Sequence, residues 1–138
     1  MKQISIFLEN KPGSLFSVLS ELKKMRVNLR ALALADTAEF GVLRFIADQP
    51  ETLVEQLRNT NFTATLTEVL VVGVDDTPGG LADVVEILTT NALSIEYLYA
   101  FVSPHAPRAY VVLRVEDITR AREVLKKAQA SVMNSLSI

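Results

Sequence analysis

Two short stretches of this sequence combine polar side chains with a proline-glycine pair in a way that can hold a small anion. The stretch 10–15 reads Asn-Lys-Pro-Gly-Ser-Leu, and the stretch 76–81 reads Asp-Thr-Pro-Gly-Gly-Leu. Proline fixes its own φ and lacks an N–H donor, and glycine permits the unusual backbone angles of a tight corner. A helix that begins after such a corner has backbone N–H groups without intrahelical partners and a dipole that favours negative charge. Each stretch is therefore a candidate site for a carboxylate or a phosphate.

A structural interpretation of the same residues is also open. Asn10 and Asp76 can satisfy the first helical N–H groups with their own side chains, and the proline-glycine pair then only ends the strand. A single copy of the stretch favours this interpretation.

The two stretches belong to a duplication with an offset of 66 residues. Alternating apolar residues, typical of a strand, precede both turns and coincide at this offset: Ile4, Ile6 and Leu8 in the first copy, and Leu70, Val72 and Val74 in the second. Residues with helical periodicity follow both turns, and Asn28 falls on Ser94. The repeat predicts two similar units, each with a strand-to-helix corner.

The order of elements predicts the fold class. In the first copy a helix lined by residues 15–25 precedes a strand that opens at Asn28, a turn at 36–41, a strand at 42–47, a helix that begins at Pro50 and a strand at 62–67. The second copy repeats the order and ends on a short strand near Val132. Such β-α-β-β-α-β units form ferredoxin-like sandwiches with two helices on one face of an antiparallel sheet. We therefore predict an α+β protein of two ferredoxin-like domains in tandem, 1–68 and 69–138.

An apolar excess predicts association between chains. Units of this size are marginally stable alone, and the mean hydropathy of the chain is +0.27. The sheet face opposite the helices is predicted to be apolar as well. In the first copy it would carry Leu32 and Leu34, and in the second copy both alternating sets of residues in 95–102 are rich in apolar side chains. A partly exposed apolar sheet is the alternative. We expect a homo-oligomer, with a dimer favoured.

Composition disfavours several classes of function. The formal net charge is −2, so the basic field that binds nucleic acid or acidic membranes is missing. The sequence has no cysteine, which removes disulfides and thiol chemistry. The first residues alternate apolar with polar side chains, unlike a signal peptide or a membrane span, so we expect a cytoplasmic protein.

Catalytic and metal sites are weakly supported. His105 is the single histidine, and it lies between two prolines in a predicted loop at 103–107. Asp75 and Asp76 are neighbours, and adjacent strand residues point to opposite faces, so they do not form a metal-binding pair. We expect no catalytic residue, no metal and no cofactor. The aromatic residues that could suggest an RNA platform are assigned to packing instead, because the basic, glycine-flanked signature is missing: Tyr97, Tyr99, Phe101 and Tyr110.

The combination of these features resembles the ACT domains, small regulatory modules that bind amino acids and attach to enzymes of amino-acid metabolism. The resemblance spans nearly the whole chain as two tandem copies. It is carried in the first copy by Leu8-Glu9-Asn10, the turn 11–15 and Val27-Asn28-Leu29. In the second copy it is carried by the stretch 74–81 and by Leu93-Ser94-Ile95.

The resemblance implies an effector site. In the serine-binding regulatory domain of phosphoglycerate dehydrogenases, the Asn before the turn and the Asn that opens the second strand bind the effector across an interface between two modules. Asn10 and Asn28 match these positions, although Asn28 could instead cap the preceding helix. The family's histidine two residues before the first Asn is Leu8 here, which puts serine as the ligand in doubt. Asp76 and Ser94 replace the two Asn residues in the second copy, so unequal sites are expected.

Corner chemistry and resemblance together predict the ligand-binding residues. The backbone N–H groups of Gly13, Ser14, Gly79 and Gly80 are the expected carboxylate ligands. The full predicted set is Asn10, Pro12, Gly13, Ser14, Leu15, Asn28, Leu29, Asp76, Pro78, Gly79, Gly80, Leu81, Ser94 and Ile95.

The function that follows is a free-standing sensor of a free amino acid. The alternatives are a ligand-free structural subunit that docks a metabolic enzyme, and a small isomerase or lyase of ferredoxin-like fold.

Overall fold

Each half of the chain folds into a four-stranded sheet with two helices, as the duplication predicts. The structure, a computed structural model, describes residues 1–36, 39–102 and 108–135. The chain divides into two compact units, one of Lys2–Thr67 and one of Glu68–Ile138 together with Met1.

The first unit has the element order β-α-β-β-α-β. Its elements are β1 (Lys2–Glu9), α1 (Ser14–Lys24), β2 (Ala31–Asp36), β3 (Phe40–Ile46), α2 (Pro50–Asn59) and β4 (Thr63–Glu68). The strand order is β2-β3-β1-β4, and β3 pairs antiparallel with both β1 and β2. Pro50 stands in the first turn of α2, where its missing N–H costs nothing.

The second unit repeats this architecture. Its elements are β5 (Leu70–Asp75), α3 (Gly80–Thr90), β6 (Ile95–Val102), β7 (Arg108–Val115), α4 (Ile118–Lys127) and β8 (Ser131–Val132). The strand order is β6-β7-β5-β8. The predicted strand near Val132 is confirmed, and it is short: β8 has two residues, Ser131 and Val132, which pair with Gly73 and Val72 of β5.

The cores lie between each sheet and its helices. In the first unit the predicted alternation of β1 buries Ile4 and Ile6 completely, against Val18 of α1 and Leu57 of α2. In the second unit Leu70 and Val72 pack in the same way with Leu88 and Leu125. Full burial of one such side chain contributes roughly 1.5–3 kcal/mol, so these residues fix the orientation of the helices.

The predicted face of Leu32 and Leu34 is wrong. Leu32 stands opposite Phe45 and Leu34 opposite Leu43, and both partners belong to the core on the helix side. Directly paired residues share a face, so the two leucines also face the helix side. They are about half exposed, 51% and 52%, because β2 is the edge strand of the sheet.

The second strand begins later than predicted. Asn28 was expected to open it, but β2 starts at Ala31 and Asn28 lies in the connection after α1. Arg26 adopts a positive φ of 57° there, and the N–H of Val27 donates to Leu22 O at 3.0 Å, so the chain needs these residues to leave the helix. In the second copy the strand predicted at 95–102 is confirmed as β6, and Ser94 precedes it. The predicted loop with His105, and positions 37–38 of the predicted turn, lie outside the described residues.

The helices are short. The longest, α1 and α3, have 11 residues each. Among the described residues, none of the helices has the length and apolar character needed to cross a membrane.

Candidate functional site

The first corner leaves part of the start of α1 open. Gly13 precedes the helix with a φ of 91°, which a residue with a side chain rarely adopts, and it supplies no side-chain cap. The N–H of Ser14 donates to Lys11 O at 3.3 Å, so this predicted ligand donor is already engaged. The N–H groups of Gly13, Leu15 and Phe16 have no hydrogen-bond acceptor in the part of the chain that the structure describes.

The second corner has the same geometry. Gly79 has a φ of 90° and precedes α3 without a side-chain cap. The N–H of Gly80 donates to Thr77 O at 3.1 Å, so Gly80 is engaged as Ser14 is. The conformation of the turn is thus common to both copies, and any difference between them comes from the side chains.

Neither corner is closed by the residue that the structural interpretation would use as its cap. Asn10 and Asp76 are exposed, and among the described residues no N–H at the start of α1 or α3 donates to either side chain. Asn10 is held through its backbone, because its N–H donates to Glu39 O at 3.3 Å. Both side chains are therefore available to a ligand.

A recess of about 300 Å³ lies between the first corner and the end of β2. It brings together three predicted site residues, Asn10, Ser14 and Leu15. Leu34 and Asp36 of β2 complete it and were missed at the sequence level. The topology of the sheet could have identified these two residues, because β1 and β2 run in the same direction and their carboxyl ends lie at the same end of the sheet.

A larger recess of about 630 Å³ opens on the other side of the same corner. The predicted residues Pro12 and Gly13 line it, and Ser14 lines both recesses. Phe7, Phe40 and Phe62 give this second recess an aromatic wall.

Asn28 lies elsewhere in the unit. It is exposed and lines a separate recess of about 330 Å³ with residues of α2, among them Thr52 and Gln56. The 11 residues of α1 span about 16 Å between the two ends of the helix. A single unit therefore does not bring Asn10 and Asn28 to one small ligand. Leu29, also predicted as a ligand contact, packs against the core.

The remaining predicted residues of the second copy are dispersed. Gly80 lines a recess of about 310 Å³ together with Arg108. Ile95 packs against the core of its unit. The others are exposed: Asp76, Pro78, Gly79, Leu81 and Ser94.

Opposite charges flank Asn10. Lys11 lowers the pKa of the Glu9 carboxyl below its ordinary 4.5 in two ways. The hydrogen bond that its ammonium group donates has the larger effect, and its positive charge has the smaller one. The same contact raises the pKa of the Lys11 ammonium above 10.5. Both groups therefore stay ionised near neutral pH and largely cancel each other, so Asn10 lies between two opposite charges. Among the described residues no group of three or more potential metal ligands occurs.

Known proteins share this architecture. A crystallised protein from Bacteroides thetaiotaomicron is 37% identical, with 96% of this chain and 90% of that chain covered and a TM-score of 0.89. The ligand-free regulatory subunit of aspartate kinase from Thermus thermophilus is 18% identical over 92% of this chain and 91% of that chain, with a TM-score of 0.60. The corresponding subunit from Thermus flavus is 16% identical over 93% and 92%, with a TM-score of 0.61. At these identities the two Thermus structures show a shared fold only.

Among curated proteins none is significantly similar to this chain. The model of the family described as an ACT domain pair matches residues 1–137, which is nearly the whole chain. Together with the two ferredoxin-like units and their open corners, this match shows that the chain belongs to the ACT domain pair family.

Proposed function

We propose that this ACT domain pair is a non-catalytic sensor that binds a free amino acid at its first corner, between two copies of the chain. One observation carries the proposal: the recess of about 300 Å³ places Asn10 beside the start of α1, where the N–H groups of Leu15 and Phe16 have no acceptor among the described residues. In an ACT domain this is the chemistry expected of an effector site.

The recess matches the parts of an amino acid. The N–H groups at the start of α1 and the helix dipole favour the carboxylate. The side chain of Asn10 has both an acceptor for the ammonium group and donors for a carboxylate oxygen. Leu8, Leu15 and Leu34 supply an apolar wall, which favours a ligand with an apolar side chain.

A second chain is needed to complete the proposed site. Because Asn10 and Asn28 line different recesses of one unit, both can reach one ligand only from two units. A two-fold axis beside the edge strand β2 and perpendicular to α1 would set two α1 helices antiparallel, so that the start of one meets the end of the other. The half-exposed Leu32 and Leu34 on that edge support this dimer.

Binding and association are then linked. A site that exists only when two surfaces meet stabilises the dimer when it is filled, and the dimer in turn raises the affinity for the ligand. The output passes to an enzyme of amino-acid metabolism, the kind of partner to which ACT domains attach.

Calorimetry with the twenty amino acids tests the proposal. Heat that saturates with one or a few of them supports a sensor. Silence across the panel contradicts it and favours a structural subunit that docks an enzyme without a small ligand.

Substitution tests the site assignment. The double variant Asn10→Ala/Asn28→Ala is expected to lose at least tenfold in affinity, because each exposed side chain would be truncated without disturbing the core. Asn59→Ala, at the exposed end of α2, is the matched control and should keep full affinity. Circular dichroism and thermal melting establish that each variant is folded. Unchanged affinity of a folded double variant contradicts the site.

A further inference from the structure

The second unit has a charged recess that the duplication does not explain. It measures about 310 Å³ and lies beside β5 at the point where the short β8 begins. Its lining includes Arg108 of β7, Gly73 of β5 and Ser131 of β8, together with the acidic residues Asp75 and Asp83.

The same place in the first unit is aromatic. Phe7 and Gly73 are 66 residues apart and occupy equivalent positions in β1 and β5. Phe40 pairs with Glu9 in the first sheet, and Arg108 pairs with Asp75 in the second, so these two also correspond. The second copy thus has a glycine and an arginine where the first has two phenylalanines.

The glycine makes room for the guanidinium. A Cβ at Gly73 would lie 3.4 Å from Cζ and Nη2 of Arg108 and 3.5 Å from Oγ of Ser131. A Cβ alone would make ordinary van der Waals contact at these distances, whereas a side chain as large as phenylalanine would meet the guanidinium. Arg108 therefore lies across the backbone of Gly73, on the side where Phe7 has its side chain in the other copy. The glycine at position 73 and the arginine at position 108 therefore go together.

The hydrogen-bonding capacity of Arg108 is largely unused. Toward the described residues it donates one long hydrogen bond, from Nη2 to Gly73 O at 3.4 Å, and its Nε is buried without an acceptor. It forms no ion pair with a carboxylate in the described part of the chain. A guanidinium has five donors in a fixed fork, and a buried donor without a partner is costly. An incoming oxyanion would supply the missing acceptors, most effectively in the two-point geometry of a carboxylate.

We propose that this recess is a second amino-acid site, separate from the first corner, in which Arg108 binds the carboxylate and Asp75 and Asp83 face the ammonium group. Val84, Ile87 and Ala130 also line the recess and leave an apolar place for a side chain. Two carboxylates beside one guanidinium disfavour a doubly charged phosphate, whereas they complement a zwitterion.

The site is tested in the full chain with the first corner disabled. In the Asn10→Ala/Asn28→Ala background, titration with the twenty amino acids is expected to show residual saturable heat with at least one of them. Adding Arg108→Gln should weaken this binding at least tenfold, and adding Arg120→Gln, an exposed arginine of α4, should not. Because this background lacks the two side chains proposed to bind the ligand at the first corner, the effect of Arg108→Gln in it does not depend on that site.

Three binding results would overturn the inference. They are the absence of binding in this background, binding that survives in a folded Arg108→Gln variant, and inorganic phosphate that binds as tightly as the amino acid. If Arg108→Gln does not fold, Arg108→Lys keeps the charge and loses the two-point fork, and the same tenfold weakening is expected of it. A shift of the Nε–Hε resonance of Arg108 on adding the amino acid provides direct support, and an unmoved resonance at saturation contradicts the contact.

Discussion

Glu9 and Lys11 form an ion pair that spans Asn10, with Oε2 of Glu9 2.8 Å from Nζ of Lys11. Both side chains are mostly exposed, 69% and 66%, so the pair contributes little to stability. Its effect is local, since it holds opposite charges on the two sides of the residue that we propose as a ligand contact. The ionisation of Glu9 therefore reports on the geometry of the first corner.

Lys11→Met is expected to raise the pKa of the Glu9 carboxyl toward 4.5, because the variant removes the hydrogen bond and the charge that lower it. In the native chain the small stabilisation from ionised Glu9 is present above its ordinary pKa and is lost as the pH falls through the lowered pKa. An NMR titration of the Glu9 carboxyl carbon measures both values. Lys24→Met, which removes a contact to Glu21, is the control and leaves Glu9 unchanged. An unaltered pKa in Lys11→Met would show that the pair does not form in solution.

Leu32→Glu is expected to dissociate the proposed dimer, because it adds a charge to the half-exposed edge strand β2. Leu98→Glu is the matched control, since Leu98 lies 66 residues later, is 38% exposed and stands opposite a core leucine in β7. Sedimentation velocity distinguishes monomer from dimer. Dissociation by Leu98→Glu alone would place the interface on the second copy and contradict the proposal.

The sequence predicted the elements better than it predicted which way the edge strands face. The repeated turn gave both corners, and the alternation of Ile4 and Ile6 gave the buried face of β1. In β2 the residues alternate Ala with Leu, and both types are apolar, so the pattern could not show which set faces the helices. The pairing of Leu34 with Leu43 decided this, and pairing is not a local property of the chain.

The site was predicted in the same partial way. Asn10, Ser14 and Leu15 are close in sequence and share a recess, as expected of residues at one corner. Leu34 and Asp36 reach that recess from β2, and Arg108 reaches Gly73 from β7. These contacts depend on the order of strands in the sheet, which a residue pattern does not contain. The comparison of Phe7 with Gly73 across the repeat was the one sequence signal for the charged recess.

Gly80→Ala is expected to destabilise the second unit more than Gly79→Ala. At Gly79 a Cβ meets no atom, so the cost is that of a positive φ, roughly 1–2 kcal/mol. At Gly80 a Cβ would collide with the carbonyl oxygen of Asp75, and backbone must move. Ser14 occupies the equivalent position in the first copy and already has a Cβ, so Ser14→Ala is the control, with a change within about 0.5 kcal/mol. Urea unfolding of the three variants measures the order, and equal losses for Gly79→Ala and Gly80→Ala would contradict it.

Asp117→Ala is expected to cost about 1 kcal/mol of unfolding free energy, because its carboxylate accepts the N–H of Arg120 at 3.1 Å and caps α4. Glu116→Ala, at the exposed neighbour, is the control and should be neutral. Asn10→Ala and Asp76→Ala should also be neutral, within about 0.5 kcal/mol, since neither side chain bonds to a described N–H at the start of α1 or α3. Thermal and urea unfolding of the four variants measures the contrast. A loss at Asn10 or Asp76 as large as that at Asp117 would mean that the residue caps its own helix, and the corner would then not be open to a ligand.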